Sequence, residues 1–347
     1  MKPPSKLLAV TDKIRREINS GLYHNGQRMP TETEYSATLG VSRQTVRKAL
    51  GVLEAEGLIT RRQGSGSYAN TKESGHVRTG RIAVICTYIS EYIFPSILRG
   101  IENVTKDNGY QLLMNSTNNS IAAERDILSR LLETSVDGII VEGTKTALPN
   151  PNREFYGTLA GRGIPIVFIN SFYPDITGSN IIHIVTDDYA GGYAAAERMI
   201  RAGHRSICGI FKSDDIQGTH RYAGYTDALI HLGAKMRDNN VIWFSTETKE
   251  LLLRNIGDFV MGIDRDCTGV VCYNDQIALP VVRFFESSEE YCIRSVSSFD
   301  ACLPITSGKL DFISYSHPKE QFGTTAATKL FSMIAGHKED SLVFQWE

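Results

Sequence analysis

From Gly80 onward short apolar runs alternate with longer amphipathic stretches, and no other feature limits the fold as strongly. Apolar runs cover residues 82–86, 112–114, 136–142, 164–170, 182–185, 207–211, 241–244, 269–273, 296–299 and 312–315. Most are too short for a helix and are continuously apolar, as strands buried on both faces must be. Helical patterns lie between them, for example at 96–108, 122–133, 190–202 and 219–232. Alternating β and α elements build parallel sheets covered by helices on both faces. So many strands exceed one small sheet and predict two Rossmann-like lobes. The fold class is therefore α/β for this part of the chain.

The first 70 residues have a different texture. Leu7, Val10, Ile14 and Ile18 recur at helical spacing over residues 6–20, and Gly21 ends that helix. Thr31 with Glu34 three residues later is a capping-box pattern that opens a second helix, which stops at Gly40. Ser42 caps a third helix over residues 43–56, ended by Gly57, with Val46, Leu50 and Leu53 on its inner stripe. Arg43, Gln44 and Arg47 fall on the opposite side. Two short helices joined by Leu39-Gly40-Val41 make a helix-turn-helix, whose second helix enters the major groove of DNA. Arg suits guanine, Gln suits adenine, and the Ser42 and Thr45 hydroxyls at the helix start suit phosphate. Residues 58–62 and 67–69 then form a β-hairpin wing whose tip, Gln63-Gly64-Ser65-Gly66, is slim enough for the minor groove. Charge agrees: residues 1–78 hold 13 Lys and Arg against 7 Asp and Glu, leaving 24 against 32 for the remainder. A basic head on an acidic body points to a polyanionic partner for the head alone.

The run Met29-Pro30-Thr31-Glu32, then Gly40-Val41-Ser42-Arg43-Gln44-Thr45-Val46-Arg47-Lys48-Ala49-Leu50, then Gly57-Leu58-Ile59 and Gly64-Ser65-Gly66 resembles the GntR-type winged helix over residues 6–70. The resemblance implies DNA roles for Arg43, Thr45, Arg47 and the wing tip, a backbone contact for Lys6, and two readings of Glu32. It either accepts from cytosine or serves only the first turn of its helix. Residues 71–79 are polar and aperiodic and read as a linker.

Ligands of open α/β sheets bind beyond the carboxyl ends of the strands. That rule selects Tyr88, Glu91 and Phe94 after the first run, then Glu142, Asn170, Asn274 and Asp300. Amides, carboxylates and Arg pair with sugar hydroxyls at two atoms each, and Phe94 offers a ring for a sugar's C–H face. Each has a plain alternative: Asn274 and Asp300 as helix caps, and for the others a structural place in a loop. No phosphate-binding loop, dinucleotide fingerprint or nucleophile elbow occurs, so no enzyme activity and no cofactor are expected. A carboxylate pair for glycoside hydrolysis is less consistent with this scaffold than polar clamps for an uncharged ligand. The six cysteines lack a Cys-x-x-Cys pair and read as buried free thiols, with no metal site. No apolar run suits a membrane span or a leader, which places the chain in the cytoplasm with no membrane partner.

Val136-Asp137-Gly138-Ile139-Ile140-Val141, Asp187-Asp188-Tyr189-Ala190-Gly191-Gly192, Gly203-His204-Arg205, Arg221-Tyr222-Ala223-Gly224-Tyr225, Asn274-Asp275-Gln276-Ile277-Ala278 and Ser298-Phe299-Asp300 resemble, in order, the LacI/GalR-type effector domain, kin to periplasmic sugar-binding proteins. The likeness spans residues 80 to about 340. It implies a ligand-binding role for Arg221, whose plain alternative is a pair with a lobe-surface carboxylate, places His317 where the last crossover re-enters the first lobe, and divides the body into lobe 1 (about 80–182 plus 317–335) and lobe 2 (about 183–316 plus the C-terminal end). A GntR-type head on a LacI-type body resembles the arabinose-responsive repressors of Gram-positive bacteria. The expectation is a homodimeric repressor of carbohydrate-utilisation genes that binds double-stranded operator DNA and is released by a sugar, L-arabinose. The alternative is another effector, a different sugar or a purine, acting even as a corepressor. A final strand longer than residues 344–347 provide is also expected.

Overall fold

The computed structural model describes residues 6–19, 23, 26–62, 65–70, 78–90 and 92–347. Two compact units divide the chain after Arg78. The first holds α1 (Lys6–Asn19), α2 (Glu32–Leu39), α3 (Arg43–Ala55), β1 (Ile59–Arg62) and β2 (Gly66–Ala69). The capping box forms as expected: the Thr31 N–H donates to Glu34 at 2.7 Å, and the Glu34 N–H donates to Thr31 Oγ1 at 3.3 Å. Gly40 ends α2 at φ 63°, a left-handed conformation that glycine adopts without a Cβ clash. Ser42 Oγ accepts the Thr45 N–H at 3.2 Å and starts α3. Ile14, Val46, Leu50 and Leu53 are fully enclosed between these helices. The wing pairs antiparallel from Ile59 with Ala69 to Arg62 with Gly66. Residues 26–29 add a further backbone edge, the Met29 N–H donating to the Ser67 carbonyl at 2.9 Å. The segment 71–77, expected as a linker, lies outside the described residues.

The second unit contains two parallel sheets. Its elements are β3 (Arg81–Cys86), α4 (Phe94–Asp107), β4 (Gln111–Ser116), α5 (Ile121–Glu133), β5 (Gly138–Val141), α6 (Arg153–Gly161), β6 (Ile166–Ile169), β7 (Ile181–Thr186), α7 (Asp188–Arg201), β8 (Ile207–Lys212), α8 (Ile216–His231), β9 (Val241–Phe244), α9 (Lys249–Arg254), α10 (Ile256–Val260), β10 (Gly269–Cys272), α11 (Asp275–Ser287), β11 (Ser295–Phe299), β12 (Asp311–Tyr315), α12 (Lys319–Ile334) and β13 (Leu342–Phe344). The first sheet has the order β13-β7-β6-β5-β3-β4 and the second β12-β11-β10-β8-β9. Every pairing in both is parallel. All ten apolar runs form strands, and β5, β6 and β10 are buried along their whole length. No helix among the described residues is long and apolar enough to cross a membrane.

The lobe boundary differs from the expected one. β7 belongs to the first sheet because it pairs in parallel with β6, from Ile166 with Ile181 to Ile169 with Ile184, and its Ile182 and Ile184 pack in the cluster formed with α4 and α12, so the chain leaves the first lobe at Asp187 rather than at 182. β13 also joins the first sheet, beside β7. It is only three residues long, because the chain then turns to the second lobe, where Trp346 packs. The lobes are thus joined by three crossings, at 187, 316–318 and 345, and these bond to one another. The Asp187 N–H donates to Phe344 O at 2.9 Å, and Ser316 and Glu347 exchange backbone bonds at 2.8 and 2.9 Å.

Helices α7 and α8 approach backbone to backbone. A Cβ on Gly192 would lie 2.0 Å from the Arg221 carbonyl oxygen, and one on Gly224 1.9 Å from that of Tyr189. Gly192→Ala should therefore lower the unfolding free energy of this unit by about 1–3 kcal/mol. Urea denaturation measures it, and an unchanged midpoint would contradict the packing described.

Candidate functional site

On the head, α3 turns Arg43, Gln44 and Arg47 outward, while Thr45 is half-buried beside the Ser42 cap. The Glu32 carboxylate is already occupied. Arg47 donates to it through Nε at 3.0 Å and Nη2 at 2.7 Å, and Arg61 of β1 donates through Nη2 at 2.9 Å. The Arg47 bonds, with the charges of Arg47, Arg61 and Arg43, hold the Glu32 carboxyl below the usual carboxylate range. Glu32 stands in the first turn of α2 and also gathers the guanidinium groups of α3 and the wing on one carboxylate. Arg61 was not singled out by the sequence, because its pairing with Glu32 depends on tertiary structure. The Lys6 side chain, Gln63 and Gly64 lie outside the described residues.

In the second unit the carboxyl ends of both sheets face one cleft. Tyr88, Phe94, Glu142, Arg221, Asn274 and Asp300 all line it. Asn170 and His317 stand one layer behind. Asn170, at φ 57°, donates to Glu142 Oε1 at 3.1 Å. Glu142 also accepts from the Thr87 N–H at 3.0 Å and from the Thr87 hydroxyl. Burial raises the pKa of this carboxyl against those bonds and the charge of Lys212. Asn274 both caps α11, accepting the Ile277 N–H at 3.3 Å, and lines the cleft. Asp300 caps no helix. It sits at φ 88°, strained for a residue with a Cβ, on a turn held by Asp275, which accepts the Cys302 N–H at 2.8 Å. Glu91 lies outside the described residues.

Arg221 is 2 % exposed and is the centre of the cleft wall. Its Nε donates to Asp188 Oδ1 at 2.8 Å, and Nη1 donates to the Tyr273 carbonyl. Its guanidinium carbon lies 4.4 Å from the Phe299 ring centre, 4.9 Å from that of Trp346 and 5.0 Å from that of Tyr273. Capping of α7 falls to Asp187, which accepts the Ala190 N–H at 2.9 Å, so Asp188 is free to pair with Arg221. Burial lifts the Asp188 carboxyl to about 6 even against Arg221. Burial also raises Asp300, again opposed by Arg221.

Lys212, Asp215 and Tyr273 also line the cleft, and the strand-end rule reaches them. Lys212 Nζ lies 3.2 Å from both Asp214 and Asp215, and the Tyr273 hydroxyl donates to Asp215 at 2.5 Å. Burial opposes the Lys212 ammonium, but Asp215 and Asp214 hold its pKa above the ordinary value. The lobes also bond across the cleft rim. Asn119 donates to Thr246 Oγ1 at 2.5 Å, the Ile216 N–H to Thr146 Oγ1 at 3.0 Å, and Lys145 pairs with Glu247. The Tyr92 hydroxyl donates to Phe299 O at 3.2 Å. Four cysteines are buried free thiols, but Cys292 is exposed and Cys302 half-buried, each lying in a loop rather than in a strand. No cluster of three metal-ligating side chains occurs among the described residues.

Residues 7–68 match the gntR family of bacterial regulatory proteins, and residues 82–338 match the periplasmic binding protein domain. An arabinose metabolism transcriptional repressor of Halalkalibacterium halodurans is 34% identical over 342 residues, covering 95% of this chain and 90% of that protein. One of Geobacillus stearothermophilus is 35% identical over 343 residues, covering 97% and 93%. Among solved structures, the transcription regulator CcpA of Lactococcus lactis superposes with a TM-score of 0.63 at 22% identity, covering 78% of this chain and 97% of that one, which supports the two-lobed fold.

His317 offers a test of the buried wall. Burial, with Lys319 and Arg221 adding, depresses its imidazole to about 3, so its 3.9 Å approach to Asp300 is no ion pair at neutral pH. A depressed pKa contributes stability fully above the unfolded value of about 6.5 and loses it as pH falls toward the folded value. The unfolding free energy of the native chain relative to His317→Gln should therefore drop by up to about 1.4 kcal/mol per pH unit between roughly pH 6 and 5. A difference independent of pH would contradict a neutral, enclosed imidazole.

Proposed function

We propose that this chain, which belongs to the family of the arabinose metabolism transcriptional repressors, binds its operator through the winged-helix head and is released when L-arabinose fills the cleft of the second unit. The observation that carries the sugar reading is the make-up of that cleft. Glu142, Asp215 and Asp300 supply acceptors, Arg221, Lys212, Asn274 and Gln276 supply donors, and Tyr88, Phe94 and Tyr273 supply ring faces, all at the strand ends of two facing sheets. Because the charged groups neutralise one another at close range, an uncharged polyol meets matched pairs of donors and acceptors.

On DNA, α3 lies in the major groove with Arg43, Gln44 and Arg47 toward base edges and Ser42 and Thr45 toward phosphate. Glu32 fixes Arg47 and Arg61 in a shared orientation before DNA arrives. A homodimer sets two heads on two half-sites. Sugar favours one setting of the lobes about their three crossings, and this setting disfavours simultaneous engagement of the half-sites. A coupling of about 1–3 kcal/mol is typical of such switches. The aromatic side chains in the cleft also suit a purine ring, which makes a purine effector the second reading.

A thermal-shift series of the full chain with L-arabinose, D-xylose, D-galactose and hypoxanthine separates the two readings. A ligand at one hundred times its Kd stabilises by about 2.7 kcal/mol. L-Arabinose should raise the melting temperature of the effector unit most. Asp300→Asn, which keeps the shape and removes the acceptor charge, should weaken sugar binding about 10- to 100-fold. A shift with hypoxanthine and none with any sugar would replace the sugar reading.

A further inference from the structure

The wall of the cleft contains a side chain that never reaches the cleft itself. Trp346 follows β13, so its backbone belongs to the third crossing between the lobes, and its neighbour Glu347 is paired with Ser316 of the second crossing. Its ring centre lies 4.9 Å from the Arg221 guanidinium carbon, 5.1 Å from the Phe299 ring and 5.3 Å from His317, edge-on to both rings. It also covers Gly191 in the first turn of α7, where a Cβ would come within 2.7 Å of the indole. Arg221 lines the cleft, whereas Trp346 is not among its lining residues. The indole N–H is buried and has no acceptor, so hydrogen bonding does not explain why the ring is here. What the ring offers is its face: a guanidinium enclosed by Phe299, Tyr273 and Trp346 is held by aromatic quadrupoles in a place where water does not compete.

We infer that Trp346 is a positioning residue that couples cleft to hinge: its ring, carried on the third crossing, holds the Arg221 guanidinium at the cleft wall, so a ligand that engages Arg221 reads and biases the setting of the crossings. This rests on the reading of the cleft as the sugar site. Asp188, the ion-pair partner of Arg221, directly follows the first crossing, and His317 lies in the second. Arg221 is therefore in touch with the first and third crossings directly and faces the second through Asp300 and His317. A merely space-filling Trp346 would be replaced as well by an aliphatic side chain as by an aromatic one, and its surroundings would not answer to sugar.

The chain has two tryptophans, and the other, Trp243, is exposed on β9 beside Tyr222. Trp243→Phe therefore leaves Trp346 as the sole indole reporter in the full-length protein. Titration of that variant with L-arabinose, with calorimetry on the same sample, should give a saturable change in Trp346 emission with the calorimetric Kd. Against the native chain, Trp346→Phe should keep the Kd for L-arabinose within about threefold, and Trp346→Leu should weaken it about tenfold. Binding heat without any emission change overturns the inference and leaves the sugar reading standing, as does a Kd for Trp346→Leu equal to that of Trp346→Phe. Absence of binding heat with the native chain overturns the sugar reading and this inference with it. If Trp346→Leu does not fold, the emission of the Trp243→Phe protein decides alone.

Discussion

The buried ion pair between Arg221 and Asp188 is the constraint around which the effector unit is arranged. Two charges withdrawn from water are costly unless their geometry and remaining hydrogen bonds are met, and removing one partner alone is more damaging still. Here the pair demands that α7 begin at Asp188, with capping left to Asp187. It demands that α8 approach α7 closely enough for the side chains to meet, which Gly192 and Gly224 permit. It further demands a backbone acceptor, Tyr273 O, and a second carboxylate, Asp300, at the ends of neighbouring strands. The burial that lifts Asp188 to about 6 shows that the Arg221 charge only partly offsets its desolvation. Such a pair is weak evidence of stability but strong evidence of a specified arrangement, here one that points a guanidinium into a polar cleft.

The head follows the same logic nearer to solvent. Glu32 draws Arg47 of α3 and Arg61 of the wing to one carboxylate, so the helix and the wing are registered to each other through their side chains. These groups are more exposed than Arg221, and salt screens them accordingly. Their value lies in orientation rather than in folding energy.

Much of this was legible in the sequence because parallel sheets and helix caps leave local marks. The ten apolar runs mark ten strands, Thr31 and Ser42 mark two helix starts, and the strand-end rule finds Glu142, Asn274 and Asp300 in the cleft. Three kinds of feature left no such mark. Strand order is one: β7 resembles every other buried strand, and only its long-range pairing with β6 and β13 assigns it to the first sheet. Depth is another: Asn170 and His317 occupy the right loops but stand behind the lining side chains. Long-range pairing is the third, since neither Glu32 with Arg61 nor Trp346 with Arg221 has a sequence spacing that announces it. Lys212 and Asp215 are different, for they follow an apolar run and the same rule selects them.

If sugar and operator are linked through one pair of lobe settings, each must weaken the other by the same factor, because coupling free energy is reciprocal. The most direct measurement determines the operator Kd with and without saturating L-arabinose, and the L-arabinose Kd with and without saturating operator, in one buffer at one salt concentration. The account predicts that both constants rise by an equal factor, about 5- to 150-fold. An operator Kd unmoved by sugar, or one lowered by it, would contradict a repressor released by its effector.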